Sequence, residues 1–232
     1  MRPLKILALC YLVLALIGCA QTPVRHKTAH QETREAVSVV LMPIDIELSS
    51  LTAGGVKEVR ADWTETANDL LSDALERQLA DKSDRLIEYV PPDGPLTLQQ
   101  HQQIMKLHST IGETIYTYSL APALTPPTRK GDFEWSLGKD VTSLRETSGA
   151  DYGLFIYIRD SYATAGRKTL IVAYALLNVN LPGGNQWGFA TLVDLRDGSV
   201  VWFNRINRPT GDLRTKGPAE VTARELITDI PL

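Results

Sequence analysis

Apolar residues recur along this chain with two rhythms, and the change of rhythm divides it into elements. Val37 to Leu48 reads VSVVLMPIDIEL, a β-branched run and then alternation of Ile44 and Ile46 with Asp45 and Glu47, which predicts a strand whose first half is buried on both faces. Pro43 inside it predicts a bulge or a sheet edge, since proline offers the ladder no N–H. After the loop signal Thr52–Gly55 the spacing becomes helical: Trp63, Ala67, Leu70, Leu71, Ala74, Leu75 and Leu79 fall on one stripe, and Asp62 with Glu65 has capping-box spacing. Arg85–Val90 is a short strand stopped by Pro91 and Pro92. Thr97 with Gln100 opens a second helix to about Ser119, with Leu98, Met105, Leu107, Ile111, Ile115 and Tyr118 on its inner face. Pro122, Pro126 and Pro127 exclude regular structure from Ala121 to Asp132. A third helix, Phe133 to Ser148, uses Leu137, Val141 and Leu144 and stops at Gly149.

The rest of the chain is dense in strand signals. Tyr152–Tyr162, Thr169–Leu181, Gln186–Leu195 and Ser199–Arg205 are rich in β-branched and aromatic residues, and Pro182–Asn185 and Arg196–Gly198 supply turns. These strands predict an antiparallel meander. Gly217-Pro218 starts a closing helix with Val221, Ala223, Leu226 and Ile227 facing inward. The fold class is therefore α+β, an α/β sandwich: a mixed sheet with a C-terminal antiparallel meander and helices packed mainly on one face. Residues 37–232 form a single globular domain, residues 19–36 a polar flexible tether, and residues 1–18 a separate leader.

The leader places the domain. Arg2 and Lys5 precede an apolar run from Ile6 to Ile17, and small Gly18 precedes Cys19. That is signal-peptide order, and the run is shorter than the ~20 residues that cross a bilayer as a helix. Leu16-Ile17-Gly18-Cys19 resembles the lipobox of bacterial lipoproteins. The resemblance implies cleavage between Gly18 and Cys19, acylation of the Cys19 thiol (a palmitate-type modification), and a membrane partner held through that lipid; several acyl chains anchor stably where one does not. Ala20, by the same resemblance, favours the outer membrane, on its periplasmic side. Cys10 lies in the leader, so no disulfide is available to the domain.

The formal net charge is −3, and losing Arg2 and Lys5 with the leader makes the mature chain more acidic still. No electrostatic footprint for nucleic acid exists. Of the histidines, His26 and His30 fall in the tether and His101 and His108 on one face of the second helix, where no cysteine or carboxylate completes a metal spacing; they are expected at the solvated surface. No Gly-x-Ser-x-Gly elbow is present, and Gly166-Arg167-Lys168-Thr169 lacks the earlier glycine of a phosphate loop. No catalytic residue, metal or cofactor is assigned. Strand-end carboxylates Asp45, Asp151, Asp160 and Asp194 are the sole acid–base candidates for an envelope enzyme. Arg159, Tyr162, Arg205 and Arg208 flank the meander as a candidate partner-binding edge, and Leu120 and Leu124 stand on the proline-rich arm as a candidate contact loop.

Gly149-Ala150-Asp151-Tyr152 leading into a strand, and Val193-Asp194-Leu195-Arg196-Asp197-Gly198-Ser199-Val200-Val201-Trp202 further on, resemble a known envelope pattern. It is similar to the α/β domain shared by the curli-export lipoprotein, the penicillin-binding-protein activator lipoprotein and the amino-terminal domain of the Tol-system propeller protein; uncharacterised proteobacterial lipoproteins resemble it too. The resemblance implies a non-catalytic, lipid-anchored periplasmic protein that binds or organises an envelope protein partner, with homo-oligomers or an export assembly as further forms. The nearest counterpart of a pore-forming hairpin, Thr169 to Leu195, is too short for that role.

Overall fold

The computed structural model describes residues 37–127, 133–209 and 211–232; the lipobox, the Gly18–Cys19 cleavage position and the tether lie outside them. The fold is α+β, and its axis is one long strand, β5 (Tyr152–Ala163). Along one side of β5 runs antiparallel β6 (Gln186–Asp194), which pairs in turn with β7 (Val200–Arg208). Those three strands are the meander. The other side of β5 is shared by two parallel strands: β1 (Ser38–Leu41) against Tyr152–Leu154 and β2 (Asp45–Leu51) against Tyr157–Ala163. The pairing offset changes by one residue between them, so β1 and β2 are one strand carrying the bulge that Pro43 predicts. On their outer side, β4 (Arg85–Glu88) pairs parallel with β1, and β3 (Lys57–Val59), too polar to read as a strand, pairs antiparallel with the end of β2.

Helices cover both faces rather than mainly one. The reason lies in β5: Leu154, Ile156 and Ile158 enter one layer, with α1 (Ala61–Ala80) and α5 (Lys216–Leu226), while Phe155 and Tyr157 enter the other, with α2 (Pro95–Leu120) and α3 (Thr142–Ser148). A strand apolar on both sides needs two covers. The first layer is aliphatic, built on Leu71, Leu75, Leu79 and Leu226 around Trp202. The second is rich in rings, with Phe189 stacked between Tyr157 and Phe203.

Several local expectations are corrected. Neither capping box forms: Arg60 and Gly94 are the cap residues of α1 and α2 and make no side-chain cap, and the Asp62 carboxylate takes the Arg60 guanidinium at 2.8 Å instead. The buried face of α2 is His101, Ile104, His108, Gly112, Ile115 and Tyr116, with Leu107 exposed. Gly112 sets that rotation, because a Cβ there would lie 2.0 Å from the Phe189 ring; the helix comes close only through a residue without one. In α5, Val221 is exposed while Ala219, Thr222, Ala223 and Leu226 are buried. The third helix begins only with a 3₁₀ turn at Lys139–Val141. Before it, Leu137 donates its N–H to the Gly198 carbonyl at 2.8 Å and Ser136 bridges Ser199, so this stretch lies against the β6–β7 turn. Gly149, at φ 69°, ends α3 as expected.

The largest departure is α4 (Ala165–Ala175), which stands where a strand from Thr169 to Leu181 was expected. Both edges of β5 are taken, so a further strand has no free neighbour there. The Thr164 side chain accepts from the Arg167 N–H as an N-cap. Arg167, itself buried, donates to the carbonyls of Pro182 and Ala53 and pins the first turn.

Candidate functional site

Three features are built well enough to bear on function. The first is a cleft of about 1140 Å³ along the outer side of the β1–β2 bulge. β4 pairs only with Ser38–Leu41 and β3 only with Ser49–Leu51, so among the described residues no strand adjoins 42–48 on that side. Leu48 is served there by other groups: its carbonyl accepts the Arg60 N–H at 2.8 Å and its N–H donates to the Thr64 hydroxyl at 3.0 Å. Ile46 and Ile44 follow at the alternate positions, where backbone groups point the same way. The polar face of α1 walls the cleft, with Glu65 and Glu76, and Asp45, Glu47 and Glu88 complete its carboxylates. Its one cation, Arg159, is engaged: the guanidinium reaches the Asp45 carboxylate at 2.7 Å and the Asp45 carbonyl at 3.0 Å, and lies 3.9 Å from the centre of the Tyr157 ring.

The second feature is a buried polar chain at the far end of β5. Tyr162 donates to Asp160, which also accepts from Gln186 Nε2 at 2.7 Å; Gln186 Oε1 accepts from Arg208 Nε at 2.6 Å. Arg208 goes on to Thr222 and to Glu225 at 2.6 Å, both on α5. Burial pushes the Asp160 carboxyl up to about 6 and raises the Tyr162 phenol. Arg214 stacks 4.2 Å from the Tyr162 ring and 4.4 Å from the Trp63 ring, and the Leu213 N–H donates to the Tyr162 hydroxyl at 2.9 Å. With each of Tyr162, Gln186 and Arg208 already paired, the chain pins the segment 211–214 and α5 to the sheet rather than presenting a free reactive group.

The third feature is α4 and the turn after it. Val172, Leu176, Leu177 and Val179 are exposed, Leu176 at 85% and Leu177 at 72%. No charged side chain occurs between Lys168 and Asp194.

The predicted partner-binding residues do not form one edge. Arg159 belongs to the cleft. Tyr162 and Arg208 belong to the polar chain, half-buried and fully engaged. Arg205 lies on the ring-rich face, where its charge offsets part of the burial-driven rise of the Tyr116 phenol. Leu120 and Leu124 are exposed at the end of α2. The four strand-end carboxylates share no hydrogen bond: Asp151 and Asp194 neighbour one another at the start of β5, where both act on Arg196, while Asp45 and Asp160 lie further along the strand. Asp45 holds Arg159 and Ser109, Asp151 holds Ser38, Asp194 holds Arg196 at 2.5 Å, and Asp160 sits in the polar chain. Asp160 is eight residues along β5 from Tyr152, roughly 26 Å at strand rise. His101 and His108, expected in solvent, are buried. Tyr89 meets His101 Nδ1 at 3.1 Å, and His108 stacks on Phe155 with ring centres 4.6 Å apart; burial depresses the His108 imidazole to about 3.

No protein-family model matches the chain, and no curated protein does. Among solved structures it is similar to the PelC dodecamer from Paraburkholderia phytofirmans, at 12% identity over 86% of this chain and 89% of that one, TM-score 0.34. It is also similar to lipoprotein GNA1162 from Neisseria meningitidis, at 14% over 74% and 81%, TM-score 0.31, and to the LpoB C-terminal domain from Salmonella enterica, at 15% over 75% and 83%, TM-score 0.28. Likenesses this distant carry no argument about function.

Proposed function

We propose that this chain is a non-catalytic, lipid-anchored protein of the bacterial envelope, held by Cys19 at the periplasmic side of the outer membrane, whose domain binds or organises another envelope protein. The observation that carries the binding role is α4 with the turn after it: past Arg167 and Lys168 in its first turn the stretch carries no charge, and Val172, Leu176, Leu177 and Val179 stand exposed among the described residues. Such a surface costs solubility unless a partner covers it. A protein partner suits it better than the anchoring bilayer. Val37 enters the domain beside the start of β5, whereas α4 leaves from its end, so the helix faces away from the point where the tether attaches. The engagement of Asp45, Asp151, Asp160 and Asp194 in structural pairings with other side chains supports the non-catalytic role.

The anchor is tested by feeding cells a fatty-acid probe and fractionating the envelope. Wild-type protein takes the label and sediments with outer membranes; Cys19→Ala loses both properties. A Cys19→Ala protein that stays membrane-bound overturns the anchor.

A second reading, a subunit of an export-type homo-oligomer, draws on the same exposed helix, because a second copy also covers it. Native mass measurement separates the two. A many-fold assembly that Leu177→Glu disperses supports the ring; a monomer that captures another envelope protein through α4 supports the adaptor.

A further inference from the structure

We infer that the cleft beside the β1–β2 bulge is a docking site for an extended cationic segment of a partner protein, which adds to the sheet as a short strand. Three observations meet there. The outer edge of residues 42–48 has no strand partner among the described residues, because β3 and β4 stop on either side of it. An unpaired edge inside a walled cleft is the geometry of strand addition, in which main-chain hydrogen bonds hold the ligand and alternate side chains select it. From Met42 to Leu48 the edge spans roughly 20 Å at strand rise, room for a segment of about four residues hydrogen-bonded through Ile44 and Ile46.

The charge around that edge is one-sided. Asp45, Glu47, Glu65, Glu76 and Glu88 line the cleft. The four glutamates have no ion-pair partner among the described residues, and Arg159 is neutralised by Asp45. An acidic peptide is repelled and a neutral one gains nothing; lysine or arginine at alternate positions of the added strand stands on one face and meets the α1 carboxylates Glu65 and Glu76. The side chains of Ile44 and Ile46 pack against the aliphatic core, so the edge is rigid before anything binds. This site is separate from α4 and stands whether or not α4 is the assembly surface.

The test is fluorescence anisotropy on the full chain with labelled eight-residue peptides. An alternating lysine–valine peptide binds, and its glutamate–valine counterpart does not. Methylating alternate backbone nitrogens of the lysine peptide removes its ladder donors and weakens binding about tenfold or more without touching the protein's own fold. The triple variant Glu65→Gln/Glu76→Gln/Glu88→Gln, all at exposed positions, also weakens binding about tenfold, and so does raised salt. Equal binding of both peptides, indifference to backbone methylation, or an edge found occupied by a second copy of the chain each overturns the proposal.

Discussion

Helices α2 and α4 invert one another. On α2 the residues under the sheet include two histidines and a glycine, while Leu107 points to solvent; on α4 and the turn after it Val172, Leu176, Leu177 and Val179 stand in solvent, while the buried residue is Arg167. Burial on α2 is decided by shape, because the Phe189 ring fills the notch left by Gly112 and His108 lies flat on Phe155. Apolarity on α4 is not matched by any cover from the other described residues. Polar letters inside a helix therefore report close packing, and apolar letters outside one mark the surface on which the proposed partner contact is to be tested.

The contrast can be broken at its strong end first. Phe189→Ala removes the ring that meets Gly112, His108, Tyr157 and Phe203, and should lower unfolding stability by about 3–5 kcal/mol in urea titration. A loss under about 1 kcal/mol would mean that α2 is not seated as described.

Titration gives the next effect. The folded His108 pKa of about 3 lies below the ordinary imidazole value, so the unfolded chain binds that proton first. Its contribution to stability is complete above about pH 6.5 and is lost as pH falls toward 3. Asp160 runs the other way. Burial lifts its folded pKa to about 6, so its contribution is complete below the unfolded carboxyl value and is lost as pH rises through 6. Between pH 6 and 4.5 the two slopes oppose each other. His108→Leu should therefore gain about 2 kcal/mol on acidification over that window, and Asp160→Asn should lose about as much, from the per-unit linkage of ~1.4 kcal/mol. Urea midpoints at the two pH values decide it, and identical trends in the two variants would refute the assignment.

The smallest effect belongs to α4. Leu176→Ser and Leu177→Ser should each change the stability of the isolated domain by less than about 0.5 kcal/mol, as exposed positions do, while reducing partner capture or native mass. A thermal scan showing a loss several times larger would mean that the helix is already covered.

The sheet was legible wherever residue type and turn chemistry agreed: the β-branched opening, Pro43 as the bulge, the β6–β7 turn with Gly198 at φ 80°, and the apolar stripe of α1. The second half of the α/β cover was not, because α2 hides its inner face behind His101, His108 and Gly112. The stretch Thr169–Leu181 misleads for a different reason: Ile171, Val172 and Tyr174 favour strand, and only the Thr164 cap and the filled edges of β5 make it a helix. Of the candidate site, Arg159 was legible as a rim charge. The cleft itself was not, since an unpaired edge is made by where β3 and β4 end, and Lys57–Val59 carries no strand rhythm. Tyr162 and Arg208 read as rim residues because nothing local shows that Gln186 lies between them.

The bulge at Pro43 acts as a phase shifter. Upstream of it the odd-numbered Val39 and Leu41 enter the aliphatic layer; downstream the even-numbered Ile44, Ile46 and Leu48 do. The side-chain parity of the opening strand is thus written for one surplus residue. Excising position 43 would remove that surplus and merge the two halves into one evenly alternating strand, with Ile44, Ile46 and Leu48 still in the aliphatic layer but the kink that opens the cleft gone, whereas exchanging the proline for another residue keeps the count, and with it the bulge.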